Sequence, residues 1–178
     1  NDNIWITGNV DGTATLDTFT FSGSNSGVFA ARLDSAGNAN FAYANGISGS
    51  NTGNGVAVDA LGNAYFAGRY FNSITFGSFT LTGLTTFTTK LYISKYNIAT
   101  STWEWAIGPN YAVGSSSTEE ARAIAVDEED GVIVTGSYFG AMSLGANTII
   151  SSAGSQDIFL TKVGDCSGLS ASFSAAGP

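Results

Sequence analysis

Apolar residues in this chain fall in short runs, punctuated by Gly, Asn, Asp, Ser and Thr. The pattern is clearest over Ala121–Gly136, ARAIAVDEEDGVIVTG, which reads as a strand, a tight turn opened by Asp and closed by Gly, and a second strand ending in Gly. A near-copy runs over Asn54–Gly68 as NGVAVDALGNAYFAG, and the first eight residues, NDNIWITG, match the back half of a third copy. Asp59 and Asp127 lie 68 positions apart, and Gly8, Gly68 and Gly136 are separated by 60 and 68. A period of this size built from hairpins is the signature of a sheet repeat.

Taken in order, the first unit predicts strands at Asn3–Gly8, Gly27–Leu33 and Ala39–Ala44, with a polar stretch containing TFTF (Thr18–Phe21) after the first. The second predicts Gly55–Asp59, Ala64–Gly68, the insert ITFGSFTL (Ile74–Leu81), Leu91–Tyr96 and Trp103–Ile107. The third predicts Ala121–Asp127, Val132–Gly136, the insert MSLGANTII (Met142–Ile150), Asp157–Val163 and Leu169–Ala175. Arg32, Lys95 and Lys162 fall at equivalent positions, 63 and 67 apart. The repeat is thus four strands, with the first absent from the first unit. Ser117–Glu120 fits a helix capping box, but the equivalent NTGNG of the preceding unit opens a helix poorly, which favours a strand.

Both alternating sets of these strands are apolar or small. In Asp157–Val163, Ile158 and Leu160 point one way, and Phe159, Thr161 and Val163 the other. An open sandwich gives cleaner in–out alternation, whereas sheets covered on both sides by other sheets are what blades around an axis require. Ala30, Ala57 and Ala125 are the small residues expected to let neighbouring sheets approach near that axis.

The segments AVDALGNAYFAG, FNSITFGSFTLTG and LYISKYNIATSTWEWAIG, with the third copy AIAVDEEDGVIVTGSYFGAMSLGANTIISSAGSQDIFLTKVGDCSG, resemble the SBBP-type β-propeller repeats of bacteria and some archaea. The likeness spans essentially the whole chain, departing in DEEDG for the usual Gly-Asn turn and in a last strand without Trp. It implies an all-β fold of four-stranded antiparallel blades and an extracytoplasmic setting, with no shared catalytic set. The expected division is an incomplete blade over 1–53, a second over 54–110 and a third over 111–178. Rings close with roughly 4–8 blades, so about three blades form a partial propeller. The chain also opens on Asn, not Met, which suggests a processed product or a fragment.

Composition narrows the chemistry. Apolar residues make up 43% and charged residues 11%, with 23 Gly and 2 Pro, a balance suited to short strands and many turns. The net charge of −8 repels a phosphate backbone and argues against nucleic acid. Histidine is absent, removing the commonest general base and metal ligand. The lone Cys166 permits no internal disulfide and lies in a DCSG turn. No apolar run is long enough to span a bilayer.

Asp34, Asp59, Asp127 and Asp165 open D-x-x-G turns, where a carboxylate accepts backbone N–H bonds and Gly takes positive φ. The sharper alternative is calcium, for which Asp127, Glu129 and Asp130 are the candidate ligands. They belong to the acidic run Glu119, Glu120, Asp127, Glu128, Glu129 and Asp130, otherwise read as solvated. Lys95 and Lys162 are expected to pair with Asp59 and Asp127 of their own units. Tyr70, Phe71, Tyr138 and Phe139 follow the second strand in both complete units, either as packing between blades or as a rim for stacking on sugars. The expected function is a non-catalytic extracellular module for adhesion, scaffolding or protein assembly, with partner proteins or identical chains completing the propeller. The alternative is a carbohydrate-binding or carbohydrate-cleaving propeller that uses the rim aromatics and acidic turns.

Overall fold

The computed structural model describes residues 3–22, 27–45, 51–83, 88–110, 118–144, 147–150, 155–164 and 171–174. They form strands and turns and no helix. Sheet I holds β1 (Ile4–Val10), β4 (Gly27–Leu33) and β5 (Ala39–Asn45), in the order β1-β4-β5. A hairpin of β2 (Thr13–Leu16) and β3 (Phe19–Ser22) interrupts it. Sheet II is ordered β11-β10-β7-β6, from β6 (Thr52–Val58), β7 (Ala64–Phe71), β10 (Thr89–Asn97) and β11 (Thr102–Ile107). Its inserted hairpin is β8 (Ser73–Phe76) and β9 (Phe79–Thr82). Sheet III repeats this with β12 (Thr118–Val126), β13 (Val132–Phe139), β16 (Gln156–Val163) and β17 (Ala171–Ser174), and the hairpin β14 (Ala141–Leu144) and β15 (Asn147–Ile150). All pairings are antiparallel.

Within the capping-box segment, Thr118, Glu119 and Glu120 are strand, since β12 begins at Thr118. The inserts each fold back as a two-stranded hairpin outside the main sheets. The predicted turn at Asp165 and Cys166 lie outside the described residues.

Two cores alternate through the stack because strand side chains have a period of two. On one face of sheet II, Ala64, Phe66, Tyr70, Tyr92 and Tyr96 join Trp5, Val28 and Ala30 of sheet I. On the other, Tyr65, Ala67, Leu91 and Ile93 join Ala121, Val132, Val134, Phe159 and Val163 of sheet III. Sheet II is therefore covered on both faces, which is why its strands read as apolar throughout. Trp103 anchors the first core edge-on to Tyr96 at 5.4 Å, with Phe76 at 4.8 Å and Phe66 at 5.5 Å.

The first strands of sheets II and III each shift register, between Gly53 and Gly55 and between Ala121 and Ala123. The extra residue at each bulge carries a polar side chain that reaches a neighbouring strand: Asn54 Nδ2 donates to the Ala121 carbonyl of sheet III at 2.7 Å, and Arg122 Nε to Ser137 Oγ of β13 in its own sheet at 3.3 Å. Here β6 lies close to both neighbours. A Cβ on Gly53 would overlap Thr7 Oγ1 of β1, and one on Gly55 would press on Ile124 Cγ2 of β12 at 3.0 Å.

Candidate functional site

The Asp turns recur as one hydrogen-bonded unit. Asp34 Oδ1 accepts from the N–H groups of Ala36 and Asn38, Asp59 Oδ1 from those of Leu61 and Asn63, and Asp127 Oδ1 from those of Glu129 and Gly131. The left-handed residue is Gly37 at φ 88° and Gly62 at φ 89°, but Asp130 at φ 60° in DEEDG. The substitution of the usual turn glycine therefore puts a side chain where glycine is favoured.

What faces the second carboxylate oxygen differs between sheets. In sheet III, Lys162 Nζ lies 2.6 Å from Asp127 Oδ2 and 3.6 Å from Glu129 Oε2. This ammonium holds the Asp127 carboxyl below its ordinary value, and the carboxylate in turn raises Lys162. A cation therefore already sits between two of the three candidate calcium ligands. Among the described residues no group of three or more His, Cys, Asp or Glu side chains is placed to hold a metal. In sheet II, Asp59 Oδ2 takes Asn63 Nδ2 at 2.8 Å and the Tyr65 hydroxyl at 3.1 Å. Burial pushes that phenol up to about 12. The expected Lys95–Asp59 pair is not formed. Lys95 instead lies 3.1 Å from Glu104 and over the Tyr65 ring at 5.4 Å, because Tyr65 occupies the place that Ile133 leaves free of donors in sheet III. Arg32 repeats this pose over Trp5 at 5.7 Å in sheet I.

Of the rim aromatics, Tyr70 and Tyr138 are each 1% exposed and belong to the two cores, so neither ring offers a face to solvent. Burial raises both phenols. Phe71 is half-buried and Phe139 is 42% exposed.

The acidic run is not uniformly solvated. Glu119 is fully buried, 3.3 Å from the equally buried Lys90 of sheet II. Burial pulls the Lys90 ammonium below its ordinary value, while Glu119 opposes that shift. Glu120, next along β12, turns the other way to Arg69 at 3.6 Å and Arg122 at 3.0 Å. Strand alternation thus separates two acids that read alike in sequence.

Two concavities among the described residues bear on these positions. One, of about 430 Å³, lies between sheets I and II and is lined by Asn3, Trp5, Val58, Asp59, Leu61 and Ile98. The other, of about 220 Å³, lies under the β2–β3 hairpin against Ile6, Val10, Ala14, Leu16, Phe21 and Phe29. Corresponding hairpins in the other sheets clasp the sheet before them. The Thr75 carbonyl of β8 accepts from Tyr43 Oη and Asn45 Nδ2 of sheet I, and the Ser143 carbonyl of β14 accepts from Asn110 N at 2.7 Å. Compared with known proteins, the chain matches no family model and no curated sequence.

Proposed function

We propose that the chain is a run of β-propeller-type blades of the SBBP kind, acting outside the cell as a non-catalytic adhesion, scaffolding or assembly module. The supporting observation is a contrast between equivalent positions. Leu91 and Ile93 of sheet II are 0% exposed beneath sheet III, while their counterparts Ile158 and Leu160 are 63% and 48% exposed on the outer face of sheet III. At the other end, the outer face of sheet I presents Ile4, half exposed, with Ile6, Val10 and Phe29 around the hairpin groove. These are the counterparts of Ala64, Phe66, Tyr70 and Tyr92, which sheet I covers in the sheet II core. Each open face thus matches a face that a neighbouring sheet covers within the chain. The work of the module is sheet-on-sheet burial, worth roughly 1.5–3 kcal/mol for each fully covered Ile, Leu or Phe.

Size-exclusion chromatography of the Ile158→Lys/Leu160→Lys variant tests this reading. The variant is expected to elute as one chain that still melts cooperatively, at a lower and concentration-independent midpoint, while the unmodified protein elutes as a larger species. Equal elution of the two, together with saturable binding to a glycan panel, would instead favour the carbohydrate alternative.

A further inference from the structure

Sheets II and III each have a first strand, β6 or β12, on the outer side of the strand after the Asp turn. Among the described residues, the equivalent edge of β1 has none. Three features of sheet I correspond to contacts that a first strand makes in its neighbours.

The first is Gly8. In sheets II and III, a Cβ at the equivalent Gly68 or Gly136 would overlap the first-strand carbonyl oxygen of Thr52 or Glu120, besides pressing on Tyr92 or Phe159 of its own sheet. Gly8 has the matching ring contact, Phe29 at 2.9 Å, and no such carbonyl among the described residues. The second is Trp5, which stands where Tyr65 stands in sheet II, under the same kind of cation. Tyr65 donates to the Asp that ends β6. Trp5 is 8% exposed, and its indole N–H is buried without an acceptor. The third is Asn3, at the position of Asn63, whose backbone N–H and Nδ2 both donate to Asp59.

We infer that the β1 edge takes up an antiparallel strand with the pattern shared by β6 and β12: small residues flanking a bulge, then a β-branched residue, Ala, Val and a terminal Asp. Main-chain bonds along β1 supply the affinity. The bulge lies over Gly8, and the Asp carboxylate accepts from the Trp5 indole and from Asn3. This rests on the repeat reading above and names the strand that would complete its first sheet.

The probe is a peptide of sequence NTGNGVAVDA, matching Asn51–Ala60, titrated into the full 178-residue chain and followed by amide and indole NMR. Saturable one-to-one binding is expected, with shifts along β1 and at the Trp5 indole N–H. Changing the peptide Asp to Ala should cost about tenfold in affinity, as expected for a hydrogen bond to a charged group, and leave the indole unmoved. Trp5→Phe should bind both peptides at the weaker level, and Gly8→Val should bind neither. Trp5→Phe guards the test should Gly8→Val fail to fold. No saturable binding, shifts away from β1, or equal affinity for the Asp and Ala peptides would overturn the inference. Concentration-dependent protection of β1 in the chain alone would assign the edge to a second copy and overturn it as well. Failed peptide binding by a protein heavier than one chain sinks this inference and leaves the assembly reading standing, whereas failed binding by a single-chain species sinks both.

Discussion

Replacing Glu119 by Ala should unfold the chain far more readily than a surface carboxylate would. Lys90 and Glu119 are both fully buried, 3.3 Å apart, and join sheets II and III. At that separation the attraction is about 5 kcal/mol for an effective dielectric constant near 20. Removing one partner of a buried pair costs about 3–5 kcal/mol, because the remaining ammonium stays out of water. Against a total stability of about 5–15 kcal/mol this is a large share. In a chain of this size it corresponds to a midpoint lower by roughly 6–20 °C. Urea denaturation of Glu119→Ala, Lys90→Met and the double variant Lys90→Met/Glu119→Leu measures the effect. The double variant is expected to recover most of the loss, since an apolar pair of similar volume removes the desolvation cost. A loss under about 1 kcal/mol for Glu119→Ala, or a double variant no better than the single ones, would refute the reasoning.

The turn of sheet III offers a stabilising change: Asp130→Gly relieves a side chain at φ 60° and should gain about 0.5 kcal/mol by thermal unfolding. Gly136→Ala should cost about 1–3 kcal/mol, since its Cβ would overlap the Glu120 carbonyl oxygen, and a neutral result would show that β12 yields there. The Asp127 carboxyl should titrate below 3.8 by carbon-detected NMR. Its folded value is depressed, so its contribution to stability is present above the unfolded value and lost as pH falls through the folded one. Asp127→Asn should flatten that acid limb, and an unshifted titration would contradict the Lys162 contact.

The hairpin repeat is legible because its turns depend on local chemistry. Asp at the opening and a left-handed residue before the closing strand recur in sequence and in space at Asp34, Asp59 and Asp127. The two apolar faces of the strands are legible for the same reason, since alternation is a property of the strand itself. Partners that come from another sheet are not legible in this way. Glu119 reads as part of a solvated acidic run, yet it faces Lys90, which only the stacking of sheets II and III brings near. Lys95 and Lys162 occupy one register but differ in partner, because a single neighbouring position is Tyr65 in one sheet and Ile133 in the other. Tyr70 and Tyr138 read as lying beyond a strand end where a rim is expected, but β7 and β13 run on through them and they are buried with Ile74 and Met142 of the hairpins.

Sedimentation equilibrium of the unmodified chain across the micromolar range bears most directly on the claim that the outer sheets are unfinished interfaces. The account predicts a mass above the 18.2 kDa of one chain, rising with concentration. A single 18.2 kDa species at every concentration, with Ile158 and Leu160 open to solvent, would contradict it.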